Sequence, residues 1–237
     1  MSLKQFELHT LHWDNVNPKI VESHKKVMGF FDLDVKYTQV NMLHGAFMNH
    51  VMQNTTADYV GFIDIDAVPT GMGNLFNRIE TAVCENNYLF GPAQCTNCIQ
   101  NRYHIFAAPS FFFISREMYE QIGRPSFLNN GQIADCAQQV TQRYEEHLLP
   151  YKLLFPVCFE DIPPEGLWRL GGYGYYGIGT VYGANELYHL FGSRLEGNPE
   201  RFQTRCNQIM RGTFSNALMG MYDSLTEYRG EFPIAEE

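Results

Sequence analysis

Apolar and polar positions fall into alternating blocks along the first half of the chain. "FELHTLHW" (6–13), "VKYTQVN" (35–41) and "DYVGFIDI" (58–65) are short and rich in β-branched and aromatic residues, which predicts strands. Between and after them the period changes. "NPKIVESHKKVMGFF" (17–31) predicts a helix with Asn17 as N-cap and Pro18 in the first turn. "LHGAFMNHVMQNT" (43–55) places Leu43, Phe47 and Val51 at the i, i+4 spacing of a buried stripe, and "GNLFNRIETAVCENN" (73–87) predicts a third helix. Strand and helix in strict alternation predict a parallel sheet covered on both faces.

The second half is less regular. "YLFGPAQCTNC" and "YHIFAAPSFFFISREMYEQIG" predict strands and then a short helix from Ser115, and "DCAQQVTQRYEEHL" (135–148) predicts another helix. Residues 169–194 are rich in Gly and Tyr, which predicts a loop that is mobile, in close contact with a ligand, or both, and that orders when the ligand binds. Residues 198–225 predict a C-terminal helical segment. No repeat, low-complexity tract or Pro/Ser-rich linker interrupts the chain, so one α/β domain is expected.

The chain's 237 residues include 45% hydrophobic and 18% charged positions, enough for a sizeable core. Its formal net charge of −9 disfavours nucleic acid and anionic membranes as partners. An anionic ligand would need a local cation, an arginine or a helix N-terminus to offset that field. No apolar run reaches the ~18 residues of a membrane span, and the first residues lack a secretory pattern. The six cysteines are therefore expected as reduced thiols in a cytoplasmic protein. "CTNC" (95–98) with His104 offers three zinc ligands where structural zinc takes four, so free thiols are expected there too. The 18 Phe and 14 Tyr serve a core first, with some rings available to line a ligand surface.

Candidate chemistry concentrates in "YVGFIDIDAVPTG" (59–71). In an open α/β sheet, ligands bind beyond the carboxyl ends of the strands, and Asp64 and Asp66 close the third strand. In an extended segment, i and i+2 face the same side, so the two carboxylates share one site. Close carboxylates repel unless a cation accompanies them, and oxygen ligands favour a hard divalent ion such as Mg²⁺ or Mn²⁺. The plain alternative is a strand end followed by a turn before Pro69.

This segment resembles the D-x-D region of nucleotide-sugar glycosyltransferases with the GT-A fold. "HGAFMNHVMQNTTADYV" is similar to the helix that precedes it in that family. "AAPSFFFISREMYEQIG" resembles the strand and helix framing the sugar site, and "YGIGTVYGANELYHLFGSR" resembles the C-terminal stretch that supplies a metal-binding histidine. The pieces occur in family order over roughly residues 5 to 195. The resemblance implies a GT-A-type, Rossmann-like, mostly parallel sheet with flanking helices in a single domain. Residues 1–90 would be the nucleotide-binding half, 91–195 the acceptor half and 196–237 the C-terminal helical segment. Asp66 would hold the metal, Asp64 the donor ribose or the metal's water shell, and His189 would be a further metal ligand. The implied cofactor is Mn²⁺ or Mg²⁺, the donor a nucleotide-sugar with UDP first among bases, and the acceptor a hydroxyl of a glycan or small molecule.

Around this centre, Arg194 and Ser193 follow His189 closely and suit a diphosphate. His44 and Gly45 open the second helix, where Gly would let a nucleotide approach the backbone. Thr10 and His12 end the first strand, at the place of the base. An inverting reaction needs a general base; Asp135, Glu160 and Asp161 are the candidates, with Asp135 preferred although Gln138 also fits it to a capping box. A retaining reaction needs no such base, and the sequence leaves the two open. Two other classes compete. "DIDAV" matches the phosphatases of the haloacid dehalogenase type, in which Asp64 would be the nucleophile. A non-catalytic carbohydrate-binding domain would use Tyr173, Tyr175, Tyr176 and Tyr182 as stacking platforms.

Overall fold

The computed structural model describes residues 3–71, 74–96, 103–215 and 221–224. The predicted alternation appears as β1 (Phe6–His12), α1 (Pro18–Phe30), β2 (Val35–Gln39), α2 (His44–Asn54) and β3 (Tyr59–Ile63). Then come β4 (Ala67–Pro69) and α3 (Leu75–Ile79), which widens into a π turn over Glu80–Glu85. The chain continues through β5 (Leu89–Cys95), β6 (Ile105–Ala107), β7 (Phe111–Ser115), α4 (Arg116–Gln121) and α5 (Gln138–Glu146). The last part holds β8 (Tyr151–Leu154), β9 (Pro156–Phe159), β10 (Trp168–Arg169), β11 (Tyr175–Tyr176), β12 (Thr180–Tyr182), β13 (Leu187–His189), α6 (Asn198–Met210) and β14 (Tyr222–Asp223).

Local chemistry sets several boundaries. Asn17 accepts from the Lys19 amide at 3.0 Å and starts α1; Ser115 accepts from the Met118 amide at 3.2 Å and starts α4. The predicted C-terminal helix stops at Met210, two residues before Gly212 in a left-handed conformation. Residues 216–220 and 225 of that expectation, like Cys98 of the CxxC pair, lie outside the described residues.

The central sheet has strand order β2-β1-β3-β7-β5-β6, with β8 paired to β5. β2, β1, β3, β5 and β8 run one way; β7 and β6 run the other. The mostly parallel sheet with flanking helices is thus present, with β7 inserted antiparallel at its centre. Two cores cover its faces. In β7, Phe111 and Phe113 join the core with α1, α3 and α6, while Phe112 and Ile114 join the core with α2, α4 and α5. A continuous apolar run is what a strand buried on both faces requires.

A second, antiparallel sheet has order β14-β9-β12-β13-β4 and shares the α1 core. It takes its β12–β13 hairpin from the stretch expected as a mobile loop, and β10 and β11 pair separately at the start of that stretch. The glycines of 169–194 serve tight hairpins: Gly183 and Asn185 both have positive φ between β12 and β13. Tyr176 (3% exposed) and Tyr182 (0%) are core residues, so no four-tyrosine stacking platform exists.

Gly45 is explained by packing. A Cβ there would lie 2.2 Å from the Phe127 carbonyl oxygen, so the glycine admits the 127–128 backbone to the start of α2. Gly45→Ala should destabilise the fold by about 1–3 kcal/mol, as overpacking against backbone does. Gly29→Ala, on an exposed turn of α1 with nothing within 4 Å, should be neutral or stabilise by up to about 1 kcal/mol. Paired thermal melts check both signs.

Candidate metal centre

The turn after β3 belongs to both sheets. β3 ends at Ile63; the Asp64 amide donates to the Ser110 carbonyl at 2.8 Å, and the Ala67 amide donates back to the Asp64 carbonyl at 3.0 Å. This tight turn carries the chain from β3 into β4 and leaves both aspartate side chains at the carboxyl edge of the sheet. β13 pairs with β4 in a register that sets His189 opposite Ala67, and the Leu190 amide closes onto the Asp66 carbonyl at 2.9 Å. Backbone pairing alone therefore brings His189 to the aspartates.

One ligand atom each from Asp64, Asp66 and His189 fall within 4.8 Å of one another. His189 Nε2 lies 3.4 Å from Asp66 Oδ1 and 3.9 Å from Asp64 Oδ2. The side chains are 25%, 15% and 5% exposed, so the cluster sits in a recess reached from the aspartate side. Phe191 packs on the imidazole with ring centroids 3.9 Å apart, and buried Nδ1 has no hydrogen-bond partner among the described residues. Nε2, which faces the carboxylates, is the nitrogen available to a cation.

Electrostatics split the pair. Burial pushes the Asp64 carboxyl above its ordinary range; His44, with Nδ1 at 3.3 Å from Oδ1, opposes this, and the charge of Asp66 adds to it. Burial acts on Asp66 too, but hydrogen bonding and charge from His189, and a hydrogen bond from Ser193, outweigh it and hold Asp66 below its ordinary range. Two carboxylates and one imidazole, with one carboxylate destabilised as an anion, form a donor set that fits Mn²⁺ or another divalent ion accepting mixed oxygen and nitrogen ligands.

The other predicted residues take defined places. His44 faces Asp64 rather than standing alone at the helix start. Ser193 bonds Asp66, and the Arg194 guanidinium lies 4.8 Å from the centre of the Trp13 ring. Trp13 is held by a 2.8 Å bond from Nε1 to the Met42 carbonyl. His12 ends β1 beside this pair, half-buried, while the Thr10 hydroxyl is enclosed and has no partner among the described residues. Asp135 accepts from Asn129 Nδ2 at 3.1 Å, and its amide donates to Gln138 Oε1 at 2.7 Å, which is one half of the expected capping box; α5 itself starts at Gln138, after Ala137, with no side-chain cap. Asp135 and Asp64 both act electrostatically on the Cys136 thiol, which burial drives up.

Glu160 and Asp161 are engaged in ion pairs with α6. Glu160 is buried, accepts from the Tyr188 hydroxyl at 3.1 Å and pairs with Arg205, while Arg201 pairs with Asp161 at 3.0 Å. Gly179, with φ +68°, leaves room for the Glu160 carboxylate, which a Cβ would meet at 2.5 Å. Sequence reasoning missed Trp13 and the His44–Asp64 contact. A tryptophan one residue past a strand's carboxyl end was the signal for the first; nothing local marked the second.

No family model and no curated protein matches the sequence. Solved structures similar to the chain include A197 from STIV, at 18% identity over 53% of this chain and 72% of that one, with TM-score 0.38. The mannosyltransferase PcManGT from Pyrobaculum calidifontis, in complex with GDP-Man and Mn²⁺, is 10% identical over 53% of this chain, which spans 48% of its length; the TM-score is 0.38. A putative glucose-1-phosphate thymidylyltransferase from Bacillus anthracis is 10% identical over 62% of this chain and 86% of its own, with TM-score 0.36. The functional conclusion rests on the site. No helix among the described residues is long and apolar enough to cross a membrane.

A raised Asp64 carboxyl binds a proton more readily than an ordinary aspartate, and a metal must displace that proton. Mn²⁺ affinity measured by calorimetry should therefore fall with decreasing pH, starting above the usual carboxylate range. The same burial makes the charged form costly in the metal-free fold above that raised value. Asp64→Asn should accordingly raise the metal-free Tm by a few degrees at neutral pH while abolishing the Mn²⁺-induced Tm increase. A lower Tm, or an undiminished Mn²⁺ response, contradicts this electrostatic assignment.

Proposed function

We propose that the protein is a metal-dependent glycosyltransferase that moves a sugar from a nucleotide-diphosphate sugar to a hydroxyl of a glycan or other acceptor. The observation that carries this is the convergence of Asp64, Asp66 and His189 at the carboxyl end of β3. A site for a hard cation at that edge suits a ligand whose diphosphate needs charge compensation in an acidic protein. Asp64, Asp66 and His189 would hold the ion together. When bound, the ion would offset the negative charge of the diphosphate as the sugar departs.

The chain's own groups supply the rest. Ser193, already directed at Asp66, and Arg194, one residue on, offer a hydroxyl and a guanidinium fork to the phosphate oxygens. Releasing the Trp13 ring from Arg194 would free that face near Thr10 and His12 for a nucleotide base. His44 orients Asp64 through their 3.3 Å contact. Asp135, within electrostatic reach of the same Cys136 thiol as Asp64, is the proposed base if the reaction inverts configuration. A phosphatase using Asp64 as nucleophile would place it after the first strand of its domain; here it follows the third, flanked by β1 and β7.

Calorimetry with UDP, GDP, CDP and ADP, with and without Mn²⁺, tests the proposal. At least one diphosphate should bind with Mn²⁺ and lose roughly tenfold or more without it, with a matching loss in Asp66→Ala. Binding of none of them, or wild-type binding by Asp66→Ala, would overturn it. Turnover of a chromogenic phosphate ester that disappears in Asp64→Asn would point to the phosphatase instead.

A further inference from the structure

A second recess lies at the other end of the central sheet. Phe90 and Lys152, which line it, are the second residues of β5 and β8, and both strands run in the direction of β3. It therefore opens near the amino ends of these strands, whereas Asp64 follows the carboxyl end of β3. Its volume is about 570 Å³, within the range of small-ligand sites.

The lining is polar in a particular way. α3 contributes Asn77 and Arg78, Asn74 precedes it, and the π turn contributes Thr81. The side-chain amides of Asn74 and Asn77 make no hydrogen bond among the described residues. Asn86 closes the π turn by donating to the Thr81 carbonyl at 2.6 Å, so the wall carrying Thr81 is fixed. Widened helical turns of this kind often accompany functional sites. Tyr88 supplies apolar surface, with the core residue Phe90 beneath it.

Arg78 decides the ligand class. Its guanidinium is paired with Glu186, whose carboxylate is 3% exposed and also accepts from the Ala184 amide. Its charge is thus already balanced by a buried anion, while its other N–H groups remain as oriented donors. Lys152, the remaining cation, sits over the Tyr88 ring at 5.9 Å. Amides, a hydroxyl and a charge-balanced guanidinium set around a predominantly apolar floor match the polar rim and apolar face of a neutral sugar ring better than an anion.

We infer that this recess is a second binding site, for one or two rings of a neutral saccharide, separate from the metal centre. It does not depend on the proposed transferase reaction. Ligand-observed NMR on the full chain with maltose, cellobiose, lactose and mannobiose, and inorganic phosphate in a separate arm, tests it. At least one disaccharide should bind, with affinity falling roughly tenfold in Asn77→Ala, an exposed position whose truncation leaves the fold intact. Thr81→Ala should weaken the same ligand, and Asp66→Ala should leave it unchanged. Absence of disaccharide binding, binding of phosphate alone, or wild-type binding by both Asn77→Ala and Thr81→Ala would overturn the inference. Loss in Asp66→Ala would assign the sugar to the metal centre and overturn it as well.

Discussion

The pairing of β4 with β13 is the constraint on which the rest depends. β4 starts one residue after Asp66, and β13 ends at His189, so one short antiparallel ladder fixes the distance between carboxylate and imidazole. Neither strand could hold this alone, since each is three residues long. β12 and β9 continue the sheet outward, and the Glu160–Tyr188 bond with the Arg205 pair anchors it to α6. The second sheet is in this sense a mount for one histidine, as the first is for two aspartates.

The same arrangement accounts for the electrostatic asymmetry of the aspartates. Asp66 shares its turn with the ladder and receives His189 and Ser193, both favouring its charge. Asp64 sits on the other side of the turn, closer to α2, with His44 as its counterweight. A cation entering the recess meets one carboxylate held ready as an anion and one that gains most from the added positive charge.

Much of this was legible in the sequence. The apolar run ending in Asp64 and Asp66, the caps Asn17 and Ser115, and the alternation through β3 follow from local rules, and the structure follows them. His189 was legible through the resemblance of "ELYHLFGSR" to a known pattern rather than through its own periodicity. The Gly/Tyr stretch misled because strands of two or three residues leave almost no period-two signal, and its glycines suggested mobility. "GANE" between "TVY" and "LYH" did carry the hairpin chemistry that the structure uses. Contacts between residues distant in sequence, such as Arg194 on Trp13 or Arg205 on Glu160, leave no local trace, and Glu160 could not be told from a catalytic base without them.

The central claim is that Asp64, Asp66 and His189 bind one divalent cation together. Pulsed electron paramagnetic resonance of the Mn²⁺-loaded protein addresses it directly, because a coordinated imidazole nitrogen modulates the manganese signal. The account predicts nitrogen modulation in the wild-type protein and its loss in His189→Gln. A Mn²⁺ signal without nitrogen coupling, or coupling that survives His189→Gln, would contradict it.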